Sequence, residues 1–328
     1  GSVYGAVTIN TAVSRARETG LHVVGAINTD FFSLSTGVPI GIVIEDGVYK
    51  SSGNEENALL ITDGQVSITG HPQVELTLTN HTNDQTVTPH HFNKARASTG
   101  GLYLYNQDFS DEHTHSSGSG WFVRMKLTDS ALPDLEEFSR SELRQLARGL
   151  DLEPEDRELE LDDLDRDELE ALIEDALTTR SLTVNSTLEL EVTEVVQGEG
   201  ALDIGADEYI LTADDASGYD FIFTSFQVGD RITLRTSCGD EALSQAQWAC
   251  GVGDILIQDG AVTDSSDWTY RADGRQPRSA IGMRADGTLV LYTADGRQSG
   301  YSVGLSEKDL ADELLRQDCV WAVNVDGG

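Results

Sequence analysis

Ala280-Ile281-Gly282-Met283-Arg284-Ala285-Asp286-Gly287-Thr288-Leu289-Val290-Leu291-Tyr292 decides how the chain is read. Two short apolar runs flank Asp286-Gly287, a pair suited to the tight turn of a β-hairpin. The same pattern recurs upstream, where Asp46-Gly47 and Asp63-Gly64 part the runs Ile40–Ile44, Ala58–Ile61 and Val74–Leu78. Downstream, a helical period over Glu307 to Gln317 leads into Val320-Trp321-Ala322-Val323, a run apolar enough for a strand buried on both faces. Leu21-His22-Val23-Val24-Gly25-Ala26-Ile27, after a helical Thr8 to Thr19 that stops at Gly20, predicts another such strand. Further strands are expected at 102–105, 121–127, 187–196, 209–212, 231–235 and 254–257. Many strands and few helices give an α+β class: mixed multi-stranded sheets, with strands from both chain ends forming one core.

One stretch departs from this. Pro133 to Arg180 holds 18 acidic residues against 6 arginines, with leucines at helical spacing. Ser139-Arg-Ser-Glu-Leu143 is echoed by Asp165-Arg-Asp-Glu-Leu169, and Asp165 with Glu168 has capping-box spacing. Two short amphipathic helices are expected, as an acidic insertion (133–180) within a single domain (1–328). Asp163, Asp165, Asp167 and Glu174 fall on calcium-loop positions, but Glu168 stands where that loop requires Gly. A solvated helix is the preferred reading.

Composition narrows the function. The 328 residues carry a net charge of −35, which argues against nucleic acid, because phosphate binding rests on Lys and Arg. No apolar run has the length of a membrane-spanning helix. The chain ends inside a glycine cluster, Asn324-Val325-Asp326-Gly327-Gly328, and reads as a piece cut at its C-terminal side. Of the three cysteines, Cys238 and Cys250 flank a short segment and are open to bridging if the protein is exported; unpaired thiols are the alternative.

Four places combine polar or cationic groups with strand ends or glycines. Asn28-Thr29-Asp30-Phe31-Phe32 follows the first apolar run, where α/β sheets place ligands or where a turn satisfies its own donors. Gly251-Val252-Gly253 lets backbone N–H groups approach an anion, although any tight turn uses such glycines. Arg271, Arg275, Arg278, Arg284 and Arg297 outnumber Asp273, Asp286 and Asp295. Of these, Arg278 lies where a loop meets a core strand, while Arg271, Arg275 and Arg284 read more simply as partners of surface acids. Asp326, beside Gly327 and after a buried strand, suits a nucleophile, a base or a cation-stabilising group. His90-His91 and His113-Thr114-His115 have metal-ligand potential but are read as polar loop residues. Trp121, Trp248, Trp268 and Tyr270 offer faces for sugar stacking, with burial the plainer reading.

Taken in order, these stretches resemble the phosphodiester glycosidase family. The likeness runs through Gly25–Phe32, Gly37–Gly41, Gly251–Gly253 with Asp259-Gly260, Pro277–Gly282, Asp295–Ser306 and Asn324–Gly328. Ser279 stands where the family has Thr, which keeps the hydroxyl. The resemblance implies hydrolysis of a sugar-1-phosphodiester, such as an α-N-acetylglucosamine-1-phosphodiester, to free sugar and phosphomonoester, with no cofactor. It implies Asp326 as nucleophile or base, Arg278 with Ser279 as phosphate holder, and backbone donors at Gly251 and Gly253. Asn28 and Asp30 would bind sugar hydroxyls or orient water, Asp30 with a catalytic part. Arg297 would be a second phosphate contact or a structural partner, and Asn324 and Gly327 would complete the substrate-binding set. Substrates of this kind lie outside the cytosol, so an extracellular or cell-envelope protein is expected. Two other readings remain: a non-catalytic carbohydrate-binding module of the cell envelope, and a hydrolase of anionic glycopolymers that cuts P–O.

Overall fold

Asp46, Asp63 and Asp259 take φ of 52°, 50° and 51°, and the glycine after each also lies in the left-handed region. That geometry suits the right-handed twist of paired strands, so each Asp-Gly folds the chain straight back. A computed structural model describes residues 2–53, 56–97, 100–128, 135, 138–149, 152, 160–178, 181–269 and 273–327. In chain order the elements are α1 (Ile9–Glu18), β1 (Val43–Glu45), β2 (Val48–Ser51), β3 (Asn57–Thr62), β4 (Gln65–Thr69), β5 (Glu75–Asn80), β6 (Gln85–Val87), β7 (His91–Phe92), β8 (Tyr103–Tyr105) and β9 (Ser119–Leu127). They continue with α2 (Arg140–Gly149), α3 (Arg166–Thr178), β10 (Thr187–Glu199), β11 (Glu208–Asp214), α4 (Asp220–Phe223), β12 (Arg231–Ser237), α5 (Glu241–Ser244) and β13 (Trp248–Val252). Last come β14 (Ile255–Gln258), β15 (Ala261–Val262), β16 (Arg278–Arg284), β17 (Leu289–Ala294), α6 (Glu307–Arg316) and β18 (Cys319–Val325).

The strands form three sheets. The middle one runs β2-β1-β13-β3-β4, an eight-stranded one runs β6-β5-β12-β10-β9-β11-β8-β7, and the C-terminal one runs β15-β14-β18-β16-β17. All pairings are antiparallel except β7 with β8. Alternation along β3 shows how they stack. Ala58 and Leu60 enter the core shared with the eight-stranded sheet. Leu59 and Ile61 point the other way and meet Ile281, Val323 and Val325 of the C-terminal sheet. The far face of the C-terminal sheet, with Ala280 and Ala322, packs on Leu310, Ala311 and Leu314 of α6. The result is a stack of eight-stranded sheet, middle sheet, C-terminal sheet and helix. The α+β class holds, and strands from both ends of the chain share the core between the last two sheets.

The Leu21–Ile27 run is not a strand. It forms no ladder, and Leu21 and Val24 are 63% and 91% exposed; only Ile27 reaches the core. The middle sheet, where a two-faced strand would fit, is filled instead by β13, whose Cys250 and Gly251 gave no strand signal. Cys238 and Cys250 are both free thiols. Cys250 packs between the middle and C-terminal sheets while Cys238 packs against the other core, and burial pushes the Cys250 thiol up to about 11.

In the insertion, Leu143, Ala147, Leu169 and Ile173 form a cluster of their own. The predicted Asp165–Glu168 cap is made, and Ser139 with Glu142 forms a matching one. The Ser139 N–H donates to Glu142 Oε2 (2.8 Å), and Asp165 and Glu168 exchange bonds of 2.7 and 2.9 Å. Asp165 is thus spent on a helix start, in line with the solvated-helix reading; the Glu174 side chain lies outside the described residues. Of the aromatics, Trp121 stacks on Phe223 and Trp268 packs against the α6 core, leaving Trp248 partly exposed. Tyr270 and Arg271 lie outside the described residues.

Candidate active site

The register of β16 against β18 sets Ser279 opposite Val325 and Ala280 opposite Asn324. That pairing brings the start of one strand beside the end of the other, so residues 277–278 and 326–327 meet at one corner. There a cleft of about 540 Å³ is lined by Phe31, Phe32, Leu34, Thr269, Gln276, Pro277, Arg278, Arg297, Asn324, Val325, Asp326 and Gly327. The N-terminal segment closes one side, its Thr29 carbonyl accepting the Asp326 N–H at 3.1 Å. Gly327 is required here, because a Cβ would come within 2.4 Å of the Pro277 carbonyl oxygen.

Arg278 forms the cleft's inner wall rather than a loose cation. It is 5% exposed, its guanidinium donating to the Leu305 carbonyl (3.2 Å), the Gly274 carbonyl (3.0 Å) and Glu307 Oε1 (3.1 Å). Glu307, fully buried, begins α6 behind the Ser306 N-cap, where a carboxylate suits the helix dipole. Burial first, and then the neighbouring Asp254, push its carboxyl up to about 8, against the pull of Arg278. Asp254 is held by Thr269, whose N–H (2.9 Å) and hydroxyl (3.1 Å) both donate to it. Two carboxyls against one guanidinium are thus packed behind the cleft. A hydrogen-bonded pair this deep is a fixed structure, since losing one partner strands the other.

Arg297 differs. It sits exposed on the rim in the left-handed region, with φ 57°, and makes a single hydrogen bond among the described residues, to Gln276 Oε1 (2.7 Å). Its remaining N–H donors are available to a ligand. Arg275 is bonded to the Gly304 carbonyl and paired with Asp309, and Arg284 donates to the Gln317 carbonyl, as expected of structural arginines.

Several sequence-derived assignments move. Strand alternation that turns Arg278 toward α6 turns Ser279 to the opposite face of the sheet, so Ser279 does not line the cleft with it. Gly251 and Gly253 are not anion donors: the Gly251 N–H is given to Ile42 (3.1 Å) and the Gly253 N–H to Asn324 (2.8 Å). Gly251 serves close approach instead, since a Cβ there would meet Asp30 Oδ1 at 2.6 Å and the Gly41 Cα at 2.7 Å. Asp30 lies behind the cleft, not in it. Its carboxylate accepts the Gly41 N–H at 2.8 Å, while Lys94 donates to the carbonyls of Pro39 (2.6 Å) and Gly41 (3.0 Å). Together they fasten the end of the loop that carries Phe32 and Leu34. Burial pushes Asp30 up to about 7 and pulls Lys94 down to about 8, their mutual attraction opposing both. Asn28 is half-buried beside this segment and is not a lining residue. Asn324 does line the cleft, and its buried Oδ1 has no hydrogen-bond partner among the described residues.

Sequence reasoning missed Glu307, Lys94 and Gln276. Glu307 carried one signal, an acid directly after the Ser306 cap, but such acids usually face solvent. His90 and His91 are spent on local structure, at the Leu102 N–H and the Gly100 carbonyl.

The family model of phosphodiester glycosidases matches residues 184–328, which hold Arg278, Arg297, Asn324 and Asp326. This part of the chain is similar to the phosphodiester glycosidases. A search of curated protein sequences finds no match. Among solved structures, a hypothetical protein from Synechocystis superposes with a TM-score of 0.64 at 18% identity, covering 96% of this chain and 48% of the other. A protein from Burkholderia pseudomallei K96243 superposes with a TM-score of 0.62 at 16% identity, covering 100% and 63%. Both likenesses concern the fold. The chain spans about half the length of the first and under two thirds of the second.

Proposed function

We propose that the cleft hydrolyses a sugar-1-phosphodiester at the bond between the anomeric carbon and oxygen. The observation that carries this reading is one cleft lined by an exposed guanidinium, Arg297, and a carboxylate, Asp326, within the family-matched part of the chain. Arg297 binds the phosphoryl oxygens and offsets the charge that grows on them as the C1–O bond breaks. Arg278, bound to Glu307, supplies the fixed positive wall behind them. Asp326 faces the cationic sugar that forms, as nucleophile or as base for water. Phe31 and Phe32 give the sugar ring an apolar wall. Water adds hydroxide to C1 and a proton to the departing phosphate, giving free sugar and phosphomonoester. A phosphomonoester is a good leaving group, so the reaction needs little general-acid help. Substrates of this kind support a location outside the cytosol or at the cell envelope.

The test is an assay on α-N-acetylglucosamine-1-phosphate methyl ester in ¹⁸O-labelled water. Label in the sugar supports the proposal. Label in the phosphate would mean P–O cleavage, and saturable binding without product would mean a carbohydrate-binding module; either result overturns it.

A further inference from the structure

Away from the cleft, Glu112, His113 and His115 take no part in the proposed reaction, yet their ligand atoms lie within 4.8 Å of one another. The loop that carries them is built around Thr114, which is fully buried. Its N–H donates to the Leu202 carbonyl (2.9 Å), and its hydroxyl accepts the Leu202 N–H (3.1 Å) and the Ser116 hydroxyl (3.1 Å). With Thr114 pinned inward, the histidines on either side project outward together. Their ring centroids are 4.1 Å apart, and His115 holds a left-handed φ of 49°. One face of His115 stacks on Tyr4 at 3.6 Å, and its Nε2 is bonded to Ser110 Oγ at 3.0 Å. His113 Nε2 stands 3.9 Å from Glu112 Oε2.

We infer that Glu112, His113 and His115 form a binding site for a divalent transition-metal ion of the zinc type. Two imidazoles and one carboxylate are the donors such ions prefer, whereas calcium and magnesium ask for oxygen alone. Ser110 acts as the outer partner that fixes a ligating ring, leaving Nδ1 of His115 to face the ion. Binding has one cost. The His115 N–H now donates to His113 Nδ1 at 3.1 Å, and an imidazole that ligates through Nε2 carries its proton on Nδ1. That contact is given up, and His113 changes tautomer with no net gain or loss of a proton. The ion would be structural. Tyr4, stacked on His115, is followed by Gly5, whose N–H donates to Thr36 on the loop that brings Leu34 to the cleft.

Tag-free protein stripped with chelator is titrated with ZnCl2 by calorimetry and with Co2+ by visible absorption. The expectation is one site per chain, a rise in Tm with Zn2+, and affinity at least tenfold weaker in His113→Ala and in His115→Ala. His115→Asn, checked for an unchanged metal-free Tm, separates lost ligation from lost fold. His22→Ala serves as the control and should bind as the wild type does. No binding by the wild type, or equal affinity in a folded His113→Ala/His115→Ala double variant, overturns the inference.

Discussion

The α2–α3 insertion and the cleft corner obey opposite rules. In the insertion each helix start is capped by the residue three places on, the leucines face inward, and charges such as Arg148 with Asp162 stay at the surface. At the corner, Arg278, Glu307, Asp254 and Asn324 are all buried, and Asn324 keeps an oxygen that is unbonded among the described residues. Such groups cost stability that a packed apolar core would not. The contrast separates a region that consults only its neighbours in sequence from one that spends stability on a site. Departures from local rules mark where chemistry is to be sought.

The strongest way to break the comparison is at Asp326. Asp326→Asn keeps the shape, so turnover on the sugar phosphodiester should fall about 10²–10⁴-fold with no change in Tm. Equal losses of rate and stability would make Asp326 a structural residue. Next, Arg297→Gly removes the rim guanidinium and also relieves a left-handed backbone, so the rate should drop about 10²–10³-fold while Tm holds or rises. In the insertion the signs reverse: Leu143→Ala should cost about 2 kcal/mol by denaturant unfolding and leave kcat/KM alone. The smallest effect is on pH dependence. Glu307, raised from 4.5 to about 8, holds a proton in the folded state that the unfolded chain releases. Its contribution is complete below about pH 4.5 and is lost as pH rises toward 8. Glu307→Gln should therefore flatten the fall of Tm between pH 5 and pH 8, leaving the smaller slope that Asp30 adds with the same sign.

Much of the scaffold could be read directly. The Asp-Gly turns announce themselves because few other pairs tolerate two left-handed residues, and the Ser139 and Asp165 caps are purely local. Leu21–Ile27 was misread because an apolar run records hydrophobicity and not whether a partner strand exists. β13 was overlooked because Ala, Cys and Gly are there to let Asp30 and Gly41 come close, a demand set by residues far away in sequence. Arg278 and Asp326 were legible as chemistry, and Arg297 as a basic residue. Their shared cleft was not, since it depends on the register of β16 with β18. The face to which Ser279 turns depends on the same register.

The middle sheet is finished by its last-made strand. β13 slots between β1 and β3, setting Ile44 against Ala249 and Leu60 against the same residue. On a ribosome the hairpins β1-β2 and β3-β4 would wait, the facing edges of β1 and β3 unpaired, while about 180 residues emerge between Thr69 and Trp248. Such late closure makes the nascent chain dependent on protection of those edges. It also means that a stop codon anywhere before residue 248 leaves a product with no centre to build on.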